Sequence, residues 1–326
     1  MVGSGKNTVS LHNGAAKLTL LRLGSILLSM VLWMAISVNC TDIWAENNVK
    51  TSSQEGDSLL IGLIPERNIF EQFERYEPLS DYLSKKMGMH IKLKVLTRYG
   101  NIIENFVASR MDGAFFGSFT YTLAHARLGV EPLARPETAD GRSTYYGLLF
   151  VSKDSGIEDA KDMRGKTFAF VDKATTAGYL LPLAYFKTHG IADYKTYFKE
   201  TYFAGTHENA VHDVLNKLAD VGAAKNTIYY HLSNIESRVR NELVVLARSP
   251  DVPENGLAVR PDLDPSIKSR LRDSLTSMHD DHDGMEVLKA FGAKRFIETT
   301  DKDYENVYRY AQEVGLDLAT YDYVND

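Results

Sequence analysis

The chain has 326 residues, 44% hydrophobic and 25% charged, with a formal net charge of -6 and a single cysteine. An acidic balance without clustered Lys and Arg excludes nucleic acid and an acidic membrane surface as partners, although a small anion answers to local dipoles rather than to total charge. One cysteine excludes a disulfide framework, so the fold must be held by its core.

Lys17 and Arg22 precede an uncharged apolar run from Leu23 to Val38, and polar sequence follows at once. Basic flank, short apolar stretch and small-residue cleavage site are the layout of a secretory leader, here residues 1–45 with cleavage after Ala45. The run is shorter than the about 20 apolar residues a bilayer-spanning helix wants, so a retained anchor is the second reading. Ser37-Val38-Asn39-Cys40 spells a lipidation site that Asn39 disfavours. Export to the periplasm would leave a polar linker, 46–57, and a mature chain too long for one hydrophobic core, hence two lobes.

Beyond the linker, apolar runs alternate with amphipathic segments. Leu59–Pro65 reads as a buried strand, Tyr76–Gly88 as a helix, and Ile91–Thr97 as a strand by its period of two. A helix over Asn101–Ser109, a strand at Gly113–Phe116 and a helix over Phe119–Leu128 continue the rhythm. Tyr145–Lys153 is a strand long enough to leave one lobe and enter the next. A second α/β series follows through KTFAFVD, a helix after Thr176, YFKETYFAG, a helix after Glu208, DVGAA and a helix near Tyr229. Leu243–Pro250 reads as the strand returning to the first lobe, and the C-terminal part is mainly helical. The expectation is an α/β fold of two lobes, 58–147 with 248–326 and 148–247, each a mostly parallel sheet flanked by helices. Two crossings between them make a hinge, and a hinge makes a cleft.

Three loops are placed to build that cleft. In FAFVDKATTAGYLLP a buried strand breaks into a polar loop and then a helix, so Thr175 and Thr176 stand where free first-turn N–H groups point at one anion. Thr175 alone would read as an ordinary helix cap. AGTHENAV repeats the placement, with His207 as a second donor, and a lone loop histidine would read as a cap or surface residue. Ser118 and Phe119 open the helix after GAFFG, at a strand's carboxyl end where open α/β sheets bind ligands. Tyr99 and Tyr145 lie at matching edges, among 18 tyrosines of which any could be packing.

With these segments in order, the chain resembles the phosphate, phosphite and phosphonate substrate-binding proteins of ABC transporters, of type 2 periplasmic binding fold. YEPLSDYLSKKMG, VLTRYGNIIENF, DGAFFGSFTYTLA, STYYGLLFVSKDSGI, ATTAGYLLP, FAGTHENAV, LADVGAA and DVPENGLAVR carry the resemblance over nearly all of the mature chain. It implies that Thr175, Thr176 and Ala177 take the place of an oxyanion-binding Ser-Thr-Ser loop, and that His207 matches the oxyanion-binding histidine. Ala177 lacks a hydroxyl but keeps its N–H. Tyr99 and Tyr145 match cleft tyrosines. In members that hold an aminoalkylphosphonate an acidic pair meets the ammonium, and the matching positions, Thr227 and Asn255, carry no charge. The resemblance therefore implies a non-enzymatic monomer, without cofactor or metal. It would capture phosphate, phosphite or a small alkylphosphonate, in preference to 2-aminoethylphosphonate, by lobe closure for an ABC permease. A receptor docking on a sensor kinase would use the same ligand chemistry.

Three motifs point elsewhere. Gly56-Asp57-Ser58-Leu59 spells a hydrolase nucleophile block, but the serine precedes its strand, and no Asp-x-x-His partner lies near the C-terminus. Gly3-Ser4-Gly5-Lys6 lacks the first glycine and the strand of a phosphate loop. His279-Asp280-Asp281-His282-Asp283 could suggest a metal, yet reads as a solvated helix end.

Overall fold

A computed structural model describes residues 58–325. The leader, Cys40, the glycine-lysine motif and the 46–57 linker lie outside these residues. The chain runs β1 (Ser58–Leu63), α1 (Ile69–Met87), β2 (His90–Val95), α2 (Ile102–Ala108), β3 (Gly113–Phe116), α3 (Ser118–Leu128), β4 (Glu131–Glu137) and β5 (Thr144–Tyr145). Next come β6 (Gly147–Ser152), β7 (Thr167–Phe170), a π-helical turn (Thr176–Leu180), α4 (Leu181–Thr188), α5 (Tyr194–Tyr197), β8 (Glu200–Phe203) and α6 (His207–Leu215). These are followed by β9 (Val221–Lys225), α7 (Asn226–Ile235), α8 (Ser237–Glu242) and β10 (Leu243–Arg248). The last section is β11 (Val252–Pro253), β12 (Gly256–Val259), α9 (Pro265–Thr276), α10 (His282–Phe291), β13 (Arg295–Glu298) and α11 (Glu305–Glu313).

Two sheets result, ordered β13-β4-β12-β3-β1-β2 and β10-β6-β9-β7-β8. Each has three parallel strands, β2-β1-β3 in one and β8-β7-β9 in the other, followed by an antiparallel neighbour, β12 or β6. Both antiparallel strands follow a passage from the opposite sheet, because β5 and β11 pair with each other, Tyr145 against Val252 and Thr144 against Pro253. The long strand expected at Tyr145–Lys153 is thus two strands broken at Tyr146. The segment expected to return the chain, Leu243–Pro250, instead runs as β10 along β6 in the second sheet, and β11 makes the return.

Helix α1 starts seven residues before Tyr76, at Ile69, because Asn68 caps it, its Oδ1 accepting from the N–H groups of Phe70 and Glu71. It passes through Pro78, which supplies no N–H to the preceding turn, and ends at Gly88 with φ 60°. Its buried Tyr76 meets Phe115 and Phe291 edge-on, both at 5.0 Å between ring centres. Another buried cluster draws on both sheets, with Phe116, Phe119 and Tyr121 beside Val171, Ala177, Leu181 and Tyr310. The segment after α11 fastens to the second sheet: Tyr321 Oη donates to the Lys173 carbonyl at 3.1 Å, and Asn325 Nδ2 to Asp172 at 2.7 Å. No helix among the described residues is long and apolar enough to cross a membrane.

Candidate functional site between the sheets

Every expected site segment except Thr227 emerges at the carboxyl end of a parallel strand or on the β5–β11 passage, so the topology collects them between the sheets. From the first sheet come Tyr99 after β2, and Ser118 and Phe119 after β3. From the second come Thr175 to Ala177 after β7 and His207 after β8. All are shut away from solvent, Tyr99 at 2% exposure, Thr176 at 3% and His207 at 4%.

The loop after β7 is folded by its own polar groups. Asp172 accepts from the Ala174 N–H, and its carbonyl accepts from both the N–H and the hydroxyl of Thr175. The Thr175 proton is therefore spent inside the loop, and its side chain accepts no first-turn N–H as a helix cap would. Burial raises the Asp172 carboxyl to about 6, against the bonds from Ala174, Asn325 and Gly100 that favour its charge. Gly178 lets this loop close: a Cβ there would stand 2.4 Å from the Val171 side chain and 2.7 Å from Thr175 Oγ1. Gly178→Ala is expected to cost about 1–3 kcal/mol of stability by overpacking, read by urea unfolding, with anion binding falling in parallel. A variant as stable as the parent would show that the turn yields.

The π-helical turn leaves its first amides without intrahelical acceptors. Those of Thr176 and Ala177 have no acceptor among the described residues, and both residues are buried. The Phe119 amide, expected to be open, is taken: it donates to Thr176 Oγ1 at 2.8 Å, a direct bond between the two sheets' helix starts. Ser118 is likewise engaged, its Oγ donating to the Pro253 carbonyl at 2.5 Å. Burial raises the Tyr145 phenol, against the Lys225 ammonium and the nearby Thr176 and Ser118 hydroxyls, which lower it. Tyr99 Oη is buried with no partner among the described residues, and burial pushes its phenol well above the ordinary range.

His207 opens α6, which Thr206 caps by accepting from the Asn209 N–H. Its ring lies edge-on to Tyr99, with ring centres 6.2 Å apart. Its Nδ1 accepts from the Lys225 N–H at 3.2 Å, so in the neutral ring the proton sits on Nε2, ready to donate. Burial, opposed by Glu66 and aided by Lys225, lowers its pKa to about 4. The unfolded chain thus binds a proton between pH about 6.5 and 4 that the folded chain refuses, so this contribution is present above 6.5 and lost as the pH falls to 4. It amounts to roughly 3 kcal/mol. Denaturant unfolding at stepped pH is expected to show the loss in the parent and a flatter profile in His207→Gln; parallel profiles would contradict a neutral buried ring.

The position match for an ammonium pocket needs correction. Thr227 is exposed on α7 and lines a groove of about 790 Å³ with Arg67, Arg75, His231 and Glu254. Asn255 is buried, its Oδ1 accepting from Lys225 Nζ at 3.1 Å and its Nδ2 unpartnered among the described residues. Negative charge is present after all, on Glu66 after β1 and Glu254 after β11, and Lys225 at the end of β9 answers it. Lys225 Nζ lies 2.9 Å from Glu66, pairs with Glu254, and sits 4.4 Å from the Tyr145 ring centre. Burial alone would raise the Glu66 carboxyl, but Lys225 and Arg75 bring it down to about 2. Burial likewise works against the Lys225 ammonium, and Glu254 and Glu66 hold it charged, above the ordinary lysine range. The sequence reading missed these three residues; the available signal was a lysine ending the buried strand VGAAK.

The other motifs have different duties. Ser58 begins β1, at the end of the strand opposite the site. Asp281 and Asp283 pair with Lys86 and Lys85 at 2.6 and 2.7 Å, tying α10 to α1.

Residues 61–304 match the sequence profile of a family described as ABC transporter, phosphonate, periplasmic substrate-binding protein. The phosphonates-binding periplasmic protein of Escherichia coli K12 is 26% identical over 255 residues, 77% of this chain and 75% of its own length. The phosphate-import protein PhnD of Mycolicibacterium smegmatis is 28% identical over 191 residues, 55% of this chain and 59% of its own. Among solved structures, a binding protein component of an ABC phosphonate transporter from Pseudomonas aeruginosa superposes with a TM-score of 0.73 at 25% identity, covering 79% of this chain and 86% of that one. The family is a substrate-binding component and not an enzyme, which sets the hydrolase reading aside. Two sheets in matching order, two chain crossings and buried donors gathered between them agree with a match spanning most of the chain, which belongs to the phosphonate substrate-binding protein family of ABC transporters.

Proposed function

We propose that this chain is an exported, monomeric receptor that closes two lobes, 58–147 with 248–326 and 148–247, over a small phosphorus oxyanion and presents the closed form to an ABC permease. The leader at 1–45 carries it to the periplasm. The observation that carries this reading is the group of buried donors without acceptors among the described residues, the Thr176 and Ala177 amides and Tyr99 Oη, together with buried His207, whose ring proton sits on Nε2. Buried polar groups are normally paired, so such a set suits a guest that brings oxygens. Fixed neutral donors suffice for an anion, each oxygen being met by one or two of them.

The Phe119–Thr176 bond and the Lys225–Glu66 pair join the two lobes, so entry requires them to part. The ligands are phosphate, phosphite and small alkylphosphonates. A thermal-shift screen of these against sulfate, nitrate and 2-aminoethylphosphonate tests the reading, because a ligand of the folded state raises stability by mass action. The expected result is stabilisation by phosphorus oxyanions with the amino compound weakest; no response to any of them would contradict it.

A further inference from the structure

We propose that Lys225 is a tethered cation filling a carboxylate cage that would otherwise take a ligand's ammonium, and that it makes this receptor select against zwitterionic phosphonates. The inference rests on the oxyanion reading above. The lysine head is surrounded as a free alkylammonium would be: the Glu66 carboxylate at 2.9 Å, the Glu254 carboxylate, the Asn255 amide oxygen at 3.1 Å and the face of Tyr145 at 4.4 Å. Its side chain is 4% exposed and that of Glu66 3%, while Glu254, at 13%, borders the groove lined by Arg67 and Thr227.

This cage abuts the oxyanion donors. Tyr145, whose ring faces Lys225 Nζ, has its phenol beside the Thr176 and Ser118 side chains. The Lys225 backbone N–H also donates to His207 Nδ1. The cage and the Thr176 turn thus border the same tyrosine, one at its ring face and the other at its phenol, as the two ends of an aminophosphonate would require. Lys225 supplies the cationic end from the chain itself. A ligand ammonium entering beside it would meet a like charge in a space already filled.

The test compares ethylphosphonate with 2-aminoethylphosphonate by calorimetry on the parent, Lys225→Ala, Lys225→Met and Lys225→Ala/Glu254→Gln. The parent is expected to bind ethylphosphonate at least tenfold tighter than the amino compound. Lys225→Ala, which vacates the cage, is expected to shift that ratio at least 100-fold toward the amine. Lys225→Met, which keeps the bulk, is expected to shift it less, and the added Glu254→Gln to cancel most of the gain. An unchanged ratio in Lys225→Ala would overturn the proposal, while failure of every protein, the parent included, to bind either compound would sink the oxyanion reading instead. Should Lys225→Ala not fold, Lys225→Ala/Glu66→Gln, with one stranded carboxylate fewer, carries the same comparison. Its thermal stability is then expected to rise with ethylammonium chloride over potassium chloride, and equal stability in the two salts would also overturn the proposal.

Discussion

Lys225→Met is expected to lower the free energy of unfolding by about 3–5 kcal/mol, the effect of removing one partner from a buried ion pair. The lysine is held by two carboxylates and an amide, and the methionine leaves Glu66 buried without its main cation. The loss arises from the stranded charge rather than from the value of the pair. Replacing the cage as a whole, with Lys225→Met, Glu66→Gln and Glu254→Gln together, is therefore expected to recover most of it. The pH dependence separates these cases. In the parent, Lys225 and Arg75 hold Glu66 down near 2, so its contribution is present above the unfolded carboxyl value and lost as the pH falls toward 2. In Lys225→Met the balance turns to burial, which raises the carboxyl, so the variant's deficit against the parent is expected to narrow as the pH falls, beneath the His207 loss that both proteins share. Urea unfolding at pH 7 and pH 5 measures both effects. A loss below about 1 kcal/mol, outside the range for a buried pair, would mean that the cage is wet.

His207→Ala is expected to weaken phosphate or methylphosphonate binding by about 1.5–3 kcal/mol, the worth of a hydrogen bond to a charged group. That is roughly 10- to 150-fold in dissociation constant. The Lys225 N–H fixes the tautomer, so the neutral ring offers one donor in a set direction. His207→Gln keeps a side-chain N–H and is expected to lose less. With a ring pKa near 4, parent affinity should not rise between pH 8 and 6, as it would if imidazolium formation drove binding. Calorimetry across that range reads both points, and an unchanged dissociation constant in His207→Ala would remove this residue from the site.

The alternation of apolar runs with amphipathic segments made the two α/β series legible, and the loops after β3, β7 and β8 stand where that rhythm puts them. Proline hid two elements. Strand β4, unassigned from the sequence, contains Pro132 and Pro136, and Pro132 sits where its ladder to β12 slips by a residue, a place where a missing N–H is tolerated. Helix α1 was read from just before Pro78, although Asn68 with Glu71 three residues on is a sound start signal. Helix α10 went unread because its histidine and aspartates drew attention as a cluster.

Within the candidate site, Thr176 with Ala177, His207, Tyr99 and Tyr145 could be named because each lies in a local segment that carries the family resemblance. The cage could not. Glu66 and Lys225 are 159 residues apart, and Glu254 a further 29 on, with no local pattern joining them. Their pairing depends on how the two sheets face each other, which is a property of the assembled lobes. The same holds for the Phe119 amide: a free first-turn N–H is a fair inference from one helix, and only the opposing helix start shows that Thr176 meets it.

The proposed capture seats a phosphorus oxyanion on the Thr176 turn between the lobes. The most direct measurement is a crystal structure of the mature protein grown with methylphosphonate. The predicted result is phosphonate oxygens within hydrogen-bond distance of the Thr176 and Ala177 amides, His207 Nε2 and Tyr99 Oη. Methylphosphonate bound elsewhere, with those four groups still facing only protein, would contradict it.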